Sequence, residues 1–452
     1  MKKIVLLQPA YPYGKSQVYM GGALISVGSQ LLALGFEVTM FDLNMTDIQT
    51  IMSVLQNADY VGVTVIGSPY IPGTIEIAKQ LAMLDIPVLI GGQVIAKLGQ
   101  REFITLFAGT NAVQIKNQVD LAEMLAVDPA SIPDAFSISL IPMWERMGDE
   151  MLHKYLKNEM TLVFSQGCHF QCAFCAAEKK QRERFKGSEH LCHDLEYLVG
   201  KAKEFGLKKL EFYTTSLDFF QNVAEVQERL QIIASVQETS GIQIKIRCLS
   251  CMVSFMKASK EIQDFEVLLR QAGLWCVGFG IDGLDSLVWL SQKKRQNKTL
   301  EQVWTCLDYA EKIGVQAEAL LVMGFPEERI RMMFKYLQFA FVAGWKHKRI
   351  VLRPYLAKPQ IPGNDHWGAD DPDREFVRLP QKFKSLDFCA IGSPDTNPIW
   401  WHRWSANLVF LLICGIWSPL GKCTTSPLMP QGRSRLWNAF ADLWNRIVPF
   451  DR

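Results

Sequence analysis

Three cysteines stand close together in the middle of the chain, at Cys168, Cys172 and Cys175. On one tight loop, thiolates three and four positions apart can reach a common metal centre. Three cysteines on a four-iron cluster leave one iron without a protein ligand. That open iron can bind a chelating substrate and pass an electron to it. The spacing therefore predicts a [4Fe–4S] site that performs redox chemistry.

Two other interpretations of this loop remain, a zinc knuckle and three inert thiols. A zinc knuckle would be completed by His190, Cys192 or His193. Zinc sites more often show paired C-x-x-C units, so the pattern favours the cluster. Cys248 and Cys251 have C-x-x-C spacing, but they lie where a predicted strand gives way to the next segment. The cysteines outside the loop are expected to be small buried hydrophobes.

The bulk composition limits the class of protein. The chain has 452 residues, 49% of them hydrophobic, and a net charge of +2, which predicts two or three domains with buried cores. No basic stripe marks a nucleic-acid partner. The apolar run after the first lysines is too short for a signal peptide, and residues 408–417 are too short to span a bilayer. The scattered cysteines predict a protein of the reducing cytoplasm. Residues 408–417 are predicted to form a core helix.

Residues 1–125 alternate strand and helix patterns. The predicted strands are Lys3–Gln8, Glu37–Phe41, Asp59–Val65, Ile86–Ile90 and Ala112–Ile115, and the clearest helices are Gly22–Leu34 and Ile71–Leu84. Continuous apolar strands separated by helices indicate a Rossmann-like parallel sheet covered on both faces. Ligands of such sheets bind beyond the carboxyl ends of the strands. No G-x-G-x-x-G follows the first strand, so a dinucleotide is not expected.

A linker is predicted at 126–150, a stretch with three prolines and no clear period. A second alternating series covers 151–365, with strands at Thr161–Ser165, Lys209–Tyr213, Gln243–Arg247, Trp275–Ile281, Ala317–Met323 and Arg349–Arg353. Six βα units fall short of a closed eight-stranded barrel. We therefore expect a partial (β/α)6 TIM-like barrel with its chemistry at the carboxyl ends of the strands. Residues 366–452 form a small tryptophan-rich C-terminal region that could cap the substrate pocket.

The C-x-x-x-C-x-x-C loop, with Phe174 before its last cysteine, resembles the motif of radical S-adenosylmethionine (SAM) enzymes. The stretches 268–283 and 321–326 are similar to further motifs of that family, and the resemblance covers most of 160–355. It implies that the open iron binds SAM. The reduced cluster would cleave SAM to a 5′-deoxyadenosyl radical, which abstracts hydrogen from an unreactive carbon.

Seven residues are assigned to SAM on this resemblance: Phe174, Ser216, Asp218, Arg247, Gly280, Asp282 and Gly324. Ser216 and Asp218 would meet the amino group, or else form a turn that caps the next helix. Arg247 would pair with the carboxylate, or else form a surface salt bridge. Gly280 would allow close backbone approach, Asp282 would bind the ribose hydroxyls, and Gly324 would begin the loop that holds the adenine.

The N-terminal region resembles the cobalamin-binding domain of one branch of this family, chiefly over 68–79 and 86–92. The implied cobalamin contacts are Gln8, Pro9, Ser68, Pro69, Tyr70, Gly91, Gly92 and Gln93. The sequence departs from the usual pattern, because it lacks a D-x-H-x-x-G motif and has no histidine in this region. A bound cobalamin would then have an empty or water-bound lower cobalt face.

The resemblance implies a radical C-methyltransferase that uses [4Fe–4S], SAM and cobalamin on a small-molecule or peptide substrate. An external electron donor such as flavodoxin or ferredoxin would supply electrons. A radical rearrangement without methyl transfer is the alternative within enzymes, and a non-catalytic zinc- or cobalamin-binding module is the alternative of another class. One group of aromatic residues and histidines could line the substrate pocket, or else pack in the core. Its members are Tyr355, His366, Trp367, Trp400, Trp401, His402 and Trp404.

Overall fold

Two parallel sheets, each flanked by helices, organise the chain in this computed structural model. The structure describes residues 2–10, 20–65, 67, 70–173, 175, 181–325, 327–356 and 400–423. One sheet has five strands and the other has six, and a two-stranded antiparallel hairpin is added to the second. The fold class predicted from the sequence is confirmed.

The first sheet has the strand order β2-β1-β3-β4-β5 and is parallel throughout. Its strands are β1 (Lys3–Gln8), β2 (Glu37–Asp42), β3 (Tyr60–Thr64), β4 (Val88–Gly91) and β5 (Ala112–Gln114). Its helices are α1 (Gly22–Ala33), α2 (Met52–Leu55), α3 (Ile71–Ala82), α4 (Gln93–Lys97), α5 (Gln100–Leu106) and α6 (Gln118–Leu125). The order reverses between β1 and β3, so a ligand crevice is expected beyond the carboxyl ends of these two strands.

Helix α7 (Ile141–Met147) lies in the predicted linker after a 3₁₀ turn at Pro129–Ser131, and α8 (Asp149–Leu156) begins at the end of that linker. Helix α7 buries Trp144 and Met143, and a Cβ at Gly28 of α1 would come into close contact with the Met143 sulfur. Part of the predicted linker is therefore helical and packed, and the domain boundary there stays a prediction. Helices of two turns are too short to show a clear apolar period.

The second sheet runs β13-β12-β11-β10-β9-β6, again parallel, as predicted for a partial barrel. Its strands are β6 (Glu159–Leu162), β9 (Lys209–Thr214), β10 (Gln243–Ser250), β11 (Leu274–Gly280), β12 (Gln316–Met323) and β13 (Ile350–Leu356). The intervening helices are α9 (Ser188–Glu204), α10 (Val223–Ser240), α11 (Met252–Glu261), α12 (Phe265–Gln271), α13 (Ser286–Ser291), α14 (Leu300–Lys312) and α15 (Ile330–Lys346). The hairpin is β7 (Ser165–Cys168) with β8 (Gln181–Phe185).

Two strand ends differ from the sequence prediction in ways that affect the site. Strand β6 ends at Leu162, and Ser165 instead begins the hairpin strand β7. Strand β10 continues three residues beyond Arg247, to Ser250. Arg247 therefore lies inside the barrel rather than at its mouth.

The carboxyl edges of the two sheets meet beside α1. The Thr161 hydroxyl on β6 donates to the Met20 carbonyl at 2.8 Å. A Cβ at Gly22 would lie 2.9 Å from the Thr161 methyl carbon. On the flank of this contact, the Tyr155 hydroxyl donates to Asp42 at 2.7 Å, and burial raises the pKa of Tyr155.

The last described helix, α16 (Trp400–Trp417), packs against α15 and buries Phe410, Ile413 and Trp417. This confirms the predicted core helix. In the described part of the chain, no helix is both long and apolar enough to cross a membrane.

A buried ion pair holds the segment before α7 to the barrel. Lys186 and Asp194 are almost fully buried, and Lys186 Nζ lies 3.1 Å from Asp194 Oδ2. Lys186 also donates to the Ile138 carbonyl, and Asp194 accepts from the Leu140 amide at 3.0 Å. The pair therefore fixes 135–140 against α9.

We expect Lys186→Met to lower the free energy of unfolding by about 3–5 kcal/mol, because Asp194 would keep a buried charge without its cation. Urea unfolding followed by circular dichroism measures the effect. Lys154→Met is the control, since its pair with Glu150 is exposed to solvent and exposed ion pairs contribute little to stability. Equal urea midpoints for the two variants would contradict the assignment.

Candidate functional site

The cysteine loop lies between β7 and β8, next to the carboxyl ends of the barrel strands. Cys168 ends β7, Cys172 is buried and Cys175 is exposed. The Cys175 amide donates to the Cys172 carbonyl at 3.1 Å, which turns the chain back on itself. Phe174, the aromatic residue of the motif, lies outside the described residues.

Residues from distant parts of the chain hold this loop. The His169 amide donates to Gln221 Oε1 at 3.1 Å. The Ala173 amide donates to the Gln292 carbonyl at 2.7 Å, and the Gln296 amide donates to Cys172 Sγ at 3.2 Å. The loop is thus positioned by elements that follow β9 and β11.

The donor set fits a [4Fe–4S] cluster better than a zinc ion. Burial chiefly raises the pKa of Cys168 to about 12, with smaller contributions from Asp218 and from the nearby Cys172 and Cys175 thiols. Three thiolates this close need a cationic centre to hold them deprotonated. Closed zinc sites use four protein ligands, whereas three cysteines can each bind a different iron of a four-iron cluster and leave the fourth iron open.

Ser216 lies in a small polar network beside the loop. Its hydroxyl is 2.8 Å from that of Ser165, which in turn donates to Glu183 on β8 at 2.9 Å. Gln221 also donates to Glu183, at 3.3 Å. Burial raises the pKa of Glu183 to about 8. Glu183 was missed at the sequence level, because it stands in a charged run, 179–184, that resembles a solvated surface.

Asp218 does not offer a free carboxylate to SAM. It is fully buried and accepts hydrogen bonds from Ser250, Ser254 and the Cys251 amide at 2.6–2.9 Å. Burial raises the pKa of Asp218. The Asp218 carboxylate thus fixes the start of α11. It does not fix the start of α10, the helix that follows Asp218 in the chain. The sequence did not anticipate this role of Asp218, and its assignment to SAM stays a prediction.

Arg247 is also unavailable to SAM in this structure. Its guanidinium pairs with both oxygens of Glu159, at 2.7 and 2.5 Å, and with Glu318 at 3.3 Å. Glu318 pairs in turn with Arg353 at 2.9 Å. These four side chains form a chain of ion pairs across the barrel interior. The ion pairs of Arg247 are thus buried and do not lie on the surface, as the alternative supposed, and its assignment to SAM stays a prediction.

Asp282 forms an ion pair with Lys294 at 2.6 Å, and both side chains are largely buried. A Cβ at Gly280 would lie 2.9 Å from Asp282 Oδ2 and 3.2 Å from Lys294 Nζ. The space beside Gly280 is thus occupied by the ion pair, which the ribose assignment of Asp282 did not anticipate. Lys294 lies in a polar stretch, 291–298, that gives no sequence signal of burial.

Gly324 has a φ of +88° and follows β12. The buried Glu328 accepts from the Gly324 amide at 2.5 Å, from the Phe325 amide at 3.1 Å and from the Tyr336 hydroxyl. Burial raises the pKa of Glu328 to about 7. Glu328 therefore holds the loop predicted to contact the adenine.

At the first sheet, the strand ends predicted to meet cobalamin lie at one edge. Pro9 is buried, Tyr70 is half-buried and Gln93 is exposed. Gln8 is buried, and its side chain accepts from the Gly21 amide at 2.7 Å and donates to Asp42 at 3.4 Å. Its observed role is to fix the chain before α1. Ser68 and Pro69 lie outside the described residues.

The two glycines after β4 differ in the space beside them. Gly92 has a φ of +114°, and a Cβ there would lie 2.4 Å from the Val65 carbonyl oxygen. At Gly91, a Cβ would meet the Ile115 carbonyl oxygen at an ordinary 3.5 Å. The close approach of β3 and β4 therefore requires glycine only at position 92.

The comparisons agree with this geometry. Residues 162–340 match the family model of the Radical SAM superfamily. The cysteine loop and most of the partial barrel fall inside this match. This part of the chain is therefore a radical SAM domain.

Solved structures extend the likeness beyond that domain. TsrM from Kitasatospora setae, a radical SAM methyltransferase solved with cobalamin and a [4Fe–4S] cluster, matches with a TM-score of 0.60 and 17% identity, over 79% of this chain and 75% of its own. The cobalamin-dependent SAM radical enzyme OxsB matches with a TM-score of 0.55 and 15% identity, over 85% of this chain and 55% of its own.

A curated relative, an uncharacterized methyltransferase (PH0819) of Pyrococcus horikoshii, is 20% identical over 308 residues, which is 66% of this chain. This chain spans about 61% of that relative's length. At these identities the solved structures establish the fold alone.

Glu328 makes stability depend on pH. Its folded-state pKa of about 7 lies above the unfolded value of about 4.3. Its stabilising contribution is complete below that unfolded value and falls as pH rises through about 7, by up to about 3 kcal/mol. In Glu328→Gln, an amide can still accept from Gly324 and donate to Tyr336.

We therefore expect the loss of stability between pH 5 and 8 to be smaller in Glu328→Gln than in the wild type. Urea unfolding at several pH values measures it. Parallel pH profiles for the two proteins would contradict the role of Glu328.

Proposed function

We propose that this protein is a cobalamin-dependent radical SAM methyltransferase that methylates an unactivated carbon of a small-molecule or peptide substrate. The observation that carries the proposal is the meeting of the two carboxyl edges at Gly22 and Thr161. A cofactor on the first sheet would then face the mouth of the barrel that holds the cysteine loop. Methyl transfer between two cofactors needs this arrangement.

Cys168, Cys172 and Cys175 would hold the [4Fe–4S] cluster, with SAM on the open iron. The switch between β1 and β3, with Pro9, Tyr70, Gly91 and Gln93 around it, would hold cobalamin. When bound, the cluster would supply electrons for SAM cleavage, and cobalamin would carry the methyl group for the substrate carbon. The folds of TsrM and OxsB, both named for cobalamin or methyl-transfer chemistry, support this assignment.

The overall reaction sets the expected products. One SAM loses its methyl group and leaves as S-adenosylhomocysteine. A second SAM takes one electron, and yields methionine and, after hydrogen abstraction from the substrate, 5′-deoxyadenosine. A second electron would regenerate the cofactor that accepts the methyl group from SAM. Each turnover would therefore consume two electrons from an external donor of the flavodoxin or ferredoxin type.

With SAM and a reductant under anaerobic conditions, the wild type should form 5′-deoxyadenosine and S-adenosylhomocysteine. Cys172→Ala should form neither and bind less than four irons, because each thiolate holds one iron of the cluster. Chromatography of the products and iron analysis measure both effects. Deoxyadenosine without S-adenosylhomocysteine would favour a radical rearrangement instead.

Cys306→Ala is the matched control for this variant. Cys306 is a buried cysteine in α14, so its loss should leave iron content and product yield unchanged. A full iron complement in Cys172→Ala would overturn the cluster assignment.

We also expect the protein to bind hydroxocobalamin with no histidine on the lower cobalt face. None of the seven histidines precedes residue 153. The visible spectrum, followed during titration, should therefore show a form whose tail base is displaced without a nitrogen ligand from the protein. No spectral change would contradict cobalamin binding.

Gly91→Leu tests the position of this site. A Cβ is tolerated at Gly91, but a leucine side chain would extend over the strand ends, so affinity should fall about tenfold or more. Gly200→Leu is the control, because a Cβ at Gly200 in α9 meets nothing within 4 Å. Equal affinities in the two variants would place the site elsewhere.

A further inference from the structure

The segment Gln292–Asn297, called here the 292–297 loop, packs against the cysteine loop. It follows α13 and precedes α14. Its Gln292 carbonyl accepts from the Ala173 amide at 2.7 Å, and its Gln296 side chain donates to Cys172 Sγ at 3.2 Å. Two hydrogen bonds therefore join this loop to the buried cysteine and its neighbour.

The backbone of the 292–297 loop is held independently of the cysteines. The Lys294 amide donates to the Trp289 carbonyl at 2.8 Å. The Asn297 side chain donates to the Ile281 carbonyl at 2.8 Å, and Gln302 donates to the Gln296 carbonyl at 3.3 Å. The Gln296 side chain is thus presented to the sulfur by a fixed backbone.

The orientation of the Gln296 amide follows from the chemistry of the sulfur. A metal-bound thiolate accepts hydrogen bonds and donates none, so the NH₂ group must face it. Gln296 is only 5% exposed, and its Oε1 has no hydrogen-bond partner among the described residues. The contact with Cys172 is therefore the one side-chain hydrogen bond seen for this amide in the described part of the chain.

We propose that Gln296 donates a hydrogen bond to the cluster-bound Cys172 thiolate and thereby raises the reduction potential of the cluster. One-electron reduction adds negative charge to the cluster and its sulfurs. A donor aimed at a sulfur stabilises the reduced state more than the oxidised state. Gln296 is thus a positioning residue that acts through Cys172, and it makes the cluster easier for the external donor to reduce.

This inference rests on the proposed cluster, and the test keeps the two apart. Gln296→Met keeps the length of the side chain and removes the donor, and Gln296→Glu replaces the donor by a carboxylate that repels the thiolate. Each protein is reconstituted anaerobically with iron and sulfide. The midpoint potential is then measured by titration with dithionite and mediators, followed by electron paramagnetic resonance of the reduced cluster.

We expect four irons per chain and a lower midpoint potential in both variants. The ratio of reduced to oxidised cluster at a fixed potential should fall about tenfold in Gln296→Met, which corresponds to about 59 mV for a one-electron couple. The fall should be larger in Gln296→Glu. The amide of Gln296→Asn is one methylene too short to reach the sulfur, so this variant should also have a lower midpoint potential. It replaces either of the other variants if that variant binds too little iron.

Gln316→Met is the matched control, because the Gln316 side chain also donates to a sulfur, that of Cys276 at 3.8 Å, and Cys276 lies on β11 outside the cysteine loop. Its midpoint potential should equal that of the wild type. An unchanged potential in loaded Gln296 variants, or an equal shift in Gln316→Met, would overturn the inference. A wild-type protein that binds no iron would instead overturn the proposed function.

Discussion

The architecture depends on the close contact between the carboxyl edges of its two parallel sheets. A Cβ at Gly22 would lie 2.9 Å from the Thr161 methyl carbon, and Thr161 donates to the Met20 carbonyl. Ligands of parallel sheets bind at these edges. The two proposed sites, which would be independent in separate domains, would thereby face each other. The α7–α8 pair and the bond between Tyr155 and Asp42 keep this geometry in place.

The charged residues of the barrel are largely committed to holding the protein together. Arg247, Glu318 and Arg353 belong to ion pairs across the interior, and Asp218 fixes the start of α11. Breaking a buried pair costs about 3–5 kcal/mol, so these groups are not released readily to a ligand. In the proposed function, the charged groups of SAM would therefore be bound through the open iron rather than by these side chains.

The cysteine loop shows how a local motif depends on distant contacts. Its three thiols come from eight consecutive residues, yet their placement involves Gln221 after β9 and Gln292 and Gln296 after β11. Partners of metal ligands tune both orientation and potential. The 292–297 loop therefore connects the fold of the barrel to the electronic properties of the proposed cluster.

The sequence by itself determined the cysteine spacing, the strands of both sheets and their parallel class, because these follow from local pattern and periodicity. It did not determine the partners of the charged residues. Arg247 was assigned to SAM, but β10 runs three residues further and places it inside the barrel. Lys294 and Gln296 lie in a polar stretch without periodicity. Their burial beside Asp282 and Cys172 is seen only in the tertiary structure. Hydrogen bonds and ion pairs depend on which segments pack together, and the whole chain decides that packing.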